Sequence, residues 1–311
     1  MNLAVWVPLL LPLPAAPAAR RLAESLPPRA AAWLLALSAG ALAVCSSAAL
    51  ALLAGAGALM LPPVAALGHL RLPVVGDQVT VPAACAAAGL LTVVVVALLR
   101  TLRRHVVQPA RARRLAAEAG TTAGDLTVLP DPGPDAYALP GRRGRPGRIV
   151  VTSGMLRALD PAEREALLAH ERAHLSGRHH LFLTAVALAC ACHPALRLLR
   201  SPLSYALERW ADEYAAAVVG DRRLAARAIG RAALASLAPR PAPAPSALSA
   251  TTGPVPRRVA ALLTPPDPAQ PRSRASHAVA AVLLTCLALS AGCALQAATD
   301  LHGSIEVAQG E

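Results

Sequence analysis

Residues 31–60 hold thirty consecutive positions without a charged side chain. A run of that length exceeds the roughly 20 apolar residues that cross a bilayer as a helix. Inside hydrocarbon the backbone must satisfy its own hydrogen bonds, so the run dictates a helix rather than an open strand or loop. Three other stretches read the same way: 3–19, 83–100 and 278–299. The first carries no charge, is interrupted by prolines, and lacks the basic lead-in of a cleaved signal, so it reads as a proline-broken span. The expected architecture is mainly α, with four transmembrane helices at about 3–19, 31–60, 83–100 and 278–299. The composition agrees: the chain is 55% hydrophobic and only 15% charged, too apolar for an ordinary soluble enzyme.

The net charge is +12, and every basic residue is arginine. Such a balance can serve nucleic acid, an anionic membrane surface or membrane topology, and the positions of the arginines decide. Arg20, Arg21 and Arg29 fall between the first two spans, against Glu24 alone. The next connection, 61–82, holds only Arg71 and Asp77. Arg100, Arg103, Arg104, Arg111, Arg113 and Arg114 follow the third span, and Arg272 and Arg274 precede the fourth. The positive-inside rule then puts 20–30 and 103–275 in the cytosol and both termini outside. Three parts result: 1–102 with three spans, a cytosolic domain over 103–275 with a proline-rich loop at about 238–247, and 276–311 with the fourth span and a short external tail. No nucleic-acid partner is expected, since no aromatic or motif context accompanies the basic segment. Cys45, Cys85, Cys190, Cys192, Cys286 and Cys293 show no metal-knuckle spacing and are read as neither ligands nor disulfides.

Within the polar part, Asp160-Pro161 with Glu163 forms a helix start: an N-cap, a proline at the first helical position and a capping box. On this helix His170-Glu171-Arg172-Ala173-His174 is an H-E-x-x-H pattern. Histidines four apart on a helix share one face, so both rings reach one zinc ion, and the Glu between them stands beside it as a base. A catalytic zinc site takes three protein ligands. The third candidate is Glu208, on a helix expected at 202–219. Asp212 lies one turn further on the same face, placed to accept the second N–H of a ligating imidazole. His179 and His180 are expected past the helix end, near solvent or membrane. Leu181–Ala191 is too short to span and reads as a buried or interfacial helix. Upstream, Arg148–Gly154 reads as a strand ending in a turn. Its residues Ile149, Val150, Val151, Thr152 and Ser153 are expected either to offer an open edge to an extended substrate or to form a structural hairpin.

H-E-R-A-H followed by Glu208-Arg209-Trp210-Ala211-Asp212 resembles the gluzincin pattern of integral-membrane zinc peptidases. The chain is similar both to HtpX-like proteases and to the BlaR/MecR family. Three spans before the catalytic part, one after it, and the I-V-V-T-S-G-M-L stretch favour the second. Gly253-Pro254-Val255-Pro256-Arg257-Arg258-Val259 resembles the region that closes the catalytic domains of both. The resemblance implies a cytosolic gluzincin-like zinc peptidase domain with a small β-strand element, in a bacterial plasma membrane. It implies one Zn²⁺ per chain held by His170, His174 and Glu208, with Glu171 catalytic. A protein or peptide substrate is implied, with a transcriptional repressor as one candidate and damaged membrane proteins as the HtpX-like alternative. A non-catalytic zinc-binding regulator is the alternative of a different class. About a dozen residues follow the last span, so a penicillin-binding sensor domain is not expected, and oligomeric state is not legible.

Overall fold

The structure is a computed structural model, and it describes residues 5–13, 15–67, 80–141, 146–237, 255–264 and 274–309. The proline-rich loop at 238–247 and the Gly253-Pro254 pair lie outside the described residues. The elements run in order α1 (Val7–Leu10), α2 (Ala15–Ser25), α3 (Pro28–Ala58), α4 (Pro62–Leu67) and α5 (Thr80–Ala119), then strands β1 (Thr121–Ala123), β2 (Leu126–Leu129), β3 (Ala136–Leu139) and β4 (Arg148–Thr152). Next come α6 (Ser153–Ala158), α7 (Pro161–Ser176), α8 (His179–Cys192), a 3-10 turn (Pro194–Leu199), α9 (Arg200–Val219), α10 (Arg222–Ser236), α11 (Val255–Leu263) and α12 (Arg274–Gln309).

Among the described residues, three helices are long and apolar enough to cross a membrane: Pro28–Ala58, Val81–Arg114 and Ala280–Gln309. The last two turn apolar faces outward, with Leu90, Val93 and Leu99 exposed on α5 and Leu284, Leu289 and Leu295 on α12. On a membrane helix such faces meet lipid. The expected boundary at 102–103 is not a break, because α5 runs unbroken from the span into the polar part. The expected tail after 299 likewise continues α12 to Gln309.

The stretch 3–19 was expected as one proline-broken span. Its described part is split between α1 and α2, neither of them long enough to cross. Prolines, which lack the amide donor and clash with the preceding turn, account for the break. The segment still lies against the bundle. Ser46 Oγ, eighteen residues along α3, donates to the Pro8 carbonyl at 2.8 Å, and Val5 packs with Ala49, Leu50 and Leu53. Among the described residues, the bent pair α7 and α8 makes a fourth if it is counted as one span.

The catalytic-type helices are docked directly on the bundle. Leu196, Leu199, Leu203 and Leu207, from the 3-10 turn and α9, share one buried cluster with Leu35 and Leu42 of α3. The hairpin of α8, the 3-10 turn and α9 reaches down to α1, where His193 Nε2 lies 3.0 Å from the Leu9 carbonyl. Within 181–191, Phe182, Val186, Ala189 and Cys190 are buried in this hairpin while Leu181 is exposed.

The sheet has the order β1-β2-β4-β3, with β2 and β4 parallel and the other pairs antiparallel. Strand β4 is therefore central, and Ile149–Ser153 offers no open edge. The reason is visible in its side chains: Ile149, Val150 and Val151 are all fully buried. A continuous apolar run marks a strand covered on both faces, whereas an edge strand alternates. The two edge strands are β1 and β3; among the described residues β3 pairs with β4 alone, Ala138 opposite Ile149, and leaves its other edge free.

Candidate metal centre

The centre begins with how α7 is fixed. Asp160 accepts from the Glu163 amide at 2.9 Å and Glu163 accepts from the Asp160 amide at 3.1 Å, a reciprocal capping box. Buried Glu163 also takes a 2.6 Å bond from Arg231 of α10. At the other end α7 and α8 meet at 56°, with Arg178 in the left-handed region at φ 51°. The helix that carries the two histidines is thus pinned at its start and turned sharply at its end.

Its inner face presents His170 and His174, whose Nε2 atoms lie 3.1 Å apart. Glu208 of α9 closes the triangle, with carboxylate oxygens 3.5 Å from His170 Nε2 and 3.6 Å from His174 Nε2. Zinc bonded to N and O ligands at about 2.0–2.1 Å in a tetrahedron spaces its ligand atoms about 3.3 Å apart. The three observed separations bracket that edge. Two imidazoles and one carboxylate also form the donor set of a catalytic zinc site with a position left for water or substrate. These residues fit a zinc ion.

The other nitrogen of each ring faces a polar neighbour. Asp212 Oδ1 lies 3.0 Å from His170 Nδ1. His174 Nδ1 lies 2.7 Å from His179 Nδ1. His179 is therefore not near solvent or membrane as expected. It is buried, its ring 4.7 Å from that of Trp210, and the bend at Gly177-Arg178 folds it back onto α7. A Cβ on Gly177 would fall 2.5 Å from His179 Nε2, so only glycine leaves room for that ring.

Arg258 of α11 is the residue that sequence reasoning did not single out. It is buried and grips Asp212 through two bonds of 2.8 and 2.6 Å, while Nη1 lies 2.8 Å from Glu208 Oε2. Arg222 of α10 seats α11 by donating to the Leu262 and Ala261 carbonyls and by pairing with Glu213 of α9. The only sequence signal for Arg258 was its place in the closing stretch of the resemblance.

Electrostatics follow from this packing. Burial pulls the His170 ring down, but Asp212 and Glu208 outweigh it and hold its pKa up to about 10. Burial drives His174 down to about 4 and His179 to about 3. Burial alone would raise Glu208, yet Arg258 and the two histidines hold its carboxyl well below the usual range. Asp212 is also held low against burial, chiefly by its bonds to Arg258. Glu171 is the exception: burial pushes its carboxyl up to about 7, with only partial offset from His170 and from the Ala138 amide. That amide belongs to β3, so the free sheet edge passes beside Glu171. A small cavity of ≈ 50 Å³, walled by Ala136, Met155, Leu167 and Ile229, adjoins His170 and Glu171.

Comparison with known proteins gives the following. Residues 103–198 match the family described as Peptidase family M48. That stretch contains His170, Glu171, His174 and β3, and stops before Glu208. The chain is similar to a protein named Protease HtpX homolog from Pelotomaculum thermopropionicum, 41% identical over 75 residues, covering 24% of this chain and 26% of the relative. A protein of the same name from Methanopyrus kandleri is 33% identical over 102 residues, 31% of this chain and 28% of the relative. One from Acaryochloris marina is 37% identical over 93 residues, 30% of each. The chain thus matches between a quarter and a third of the length of these relatives. No solved structure matches it significantly.

Proposed function

We propose that this chain is a membrane-anchored zinc endopeptidase of the M48 type, hydrolysing peptide bonds beside the membrane. The observation that carries the reading is the convergence of His170, His174 and Glu208 with the buried Glu171 carboxylate and the free edge of β3 at one place. Bound to those three residues, zinc supplies Lewis-acid polarisation of the scissile carbonyl and acidifies a water. The remaining work falls to the protein. The β3 edge pairs with an extended substrate by main-chain hydrogen bonds and lays it beside Glu171. Glu171, with its carboxyl near 7, takes the proton of the attacking water and returns it to the leaving amine. Asp212 and His179 hold the two ligand rings in the tautomer that leaves each Nε2 free to bind. Arg258 keeps Glu208 and Asp212 ionised and in place.

The arginines at 20–29 and 100–114 support a cytosolic position for the catalytic part. Docking of α8 and α9 on the span α3 supports substrates taken at the membrane surface. The HtpX-named relatives favour an HtpX-like enzyme acting on membrane proteins. The resemblance to the BlaR/MecR family makes a transcriptional repressor the second candidate substrate. A broad cleavage pattern on unfolded membrane proteins supports the first, and cleavage confined to one cytosolic protein the second. The test of the activity itself uses the purified full-length chain in detergent with an unfolded protein substrate. Cleavage should stop on chelation and return with zinc; cleavage that survives removal of all bound metal refutes the reading.

A further inference from the structure

A cavity of ≈ 700 Å³ lies between the cytosolic half of α5 and the α8 hairpin, apart from the metal centre. Its size is within the range of ligand sites, about 300–1,000 Å³. Arg104 enters it from α5, and Arg197 and Arg200 from the 3-10 turn and the start of α9. Arg113 also stands in the wall but donates to the Pro140 carbonyl. No Asp or Glu lines the cavity, and among the described residues Arg104, Arg197 and Arg200 make no ion pair or side-chain hydrogen bond. All three are exposed to the groove, so their guanidinium groups are free to share an anion there.

The rest of the wall says which anion. Ala97, Leu183, Ala187 and Ala191 make one side apolar. Ala97 belongs to the apolar run of the α5 span, and Arg104 lies two turns further toward the polar end. A ligand here meets hydrocarbon at one end and arginines at the other, at the height where a span leaves the membrane. We propose that this cavity binds an anionic phospholipid, its headgroup phosphate held by Arg104, Arg197 and Arg200 and its first acyl carbons against Ala97, Leu183 and Ala187. Guanidinium groups match phosphate oxygens in bidentate geometry. Positive residues that merely mark the inner side of a membrane have no reason to line one open groove together with an apolar wall. The cavity also touches Pro140 and Gly141, directly after β3, so its occupant abuts the end of the free edge beside Glu171.

The test takes the full-length chain from vesicles of phosphatidylcholine and phosphatidylglycerol in equal amounts and counts retained lipids by native mass spectrometry. Lipid retention needs neither zinc nor cleavage, so its outcome is independent of the peptidase reading. The wild-type chain should retain phosphatidylglycerol preferentially. Each of Arg104→Gln, Arg197→Gln and Arg200→Gln should cut that preference by about fivefold, the effect of one arginine near an anionic lipid surface. Arg200→Lys, which keeps the charge, should lose less than Arg200→Gln. Circular dichroism of each variant checks that the fold persists, and Arg223→Gln, on α10, should change nothing. Equal retention of the two lipids by the wild type, or unchanged preference in the triple glutamine variant, overturns the proposal. So does protection from heat by inorganic phosphate equal to that by phosphatidylglycerol, which would make the site one for free phosphate.

Discussion

Replacing Asp212 by Asn isolates the orientation of the first zinc ligand. Asp212 Oδ1 faces His170 Nδ1 at 3.0 Å, and both of its oxygens are used by Arg258. Asparagine has nearly the same shape but only one accepting oxygen and no charge. With its oxygen in the Oδ1 place it still meets His170 Nδ1 and Arg258 Nη2, but its NH₂ group then confronts Arg258 Nε; flipped, the NH₂ group confronts His170 Nδ1. Arg258 stays buried with Glu208 as its remaining anion, 2.8 Å from the Oε2 that also faces His170. Without the carboxylate charge the ring is held less firmly in one tautomer, while Glu208 is drawn toward Arg258. Loss of such a supporting partner lowers metal affinity by about 10–100-fold, roughly 1.4–2.8 kcal/mol. The assay is competition for zinc between the purified full-length chain and a chromophoric chelator, with helix content compared by circular dichroism. An Asp212→Asn chain that folds and holds zinc as tightly as the wild type refutes the idea that this carboxylate orients His170.

Other consequences follow from the same geometry. His179→Phe keeps an aromatic ring against Trp210 but removes the partner of His174 Nδ1; zinc affinity should fall by about tenfold with little change in thermal unfolding, and unchanged affinity would show that the 2.7 Å contact is incidental. Gly177→Ala displaces the same ring, so its effect on affinity should be largely absent in the His179→Phe background; full additivity of the two would contradict the steric argument. Glu163→Ala removes half of the capping box of α7 and the partner of Arg231; a stability loss of about 1–2 kcal/mol is expected by thermal or denaturant unfolding, and none at all would mean that α7 is held by packing alone.

What could be read from the sequence divides by range. The start of α7 was legible because a capping box is written within four residues. The three long apolar helices were legible because hydropathy needs no partner. The spacing of His170 with His174, and of Glu208 with Asp212, put each pair on one helical face, and only the packing of α9 on α7 brings the two pairs together. The free sheet edge was not legible: β4 had the stronger strand signal, and that strength came from being central. Arg258 was hidden because its partner Asp212 lies 46 residues earlier in the chain. His179 was hidden because its return to His174 depends on a non-glycine residue in the left-handed region, which no pattern at 178 announces. The proline break in the first apolar stretch was legible; that it leaves helices as short as α1 and α2 was not, because hydropathy counts prolines as merely uncharged.

The central claim, that Glu171 is the base beside a zinc ion held by His170, His174 and Glu208, is tested most directly by Glu171→Gln in the full-length chain. Zinc content and cleavage of the same unfolded substrate are measured on one preparation. The account predicts about one zinc per chain, as in the wild type, with cleavage reduced by at least about 10²–10⁴-fold, the typical worth of a positioned general base. A variant that keeps its zinc and cleaves like the wild type would contradict it.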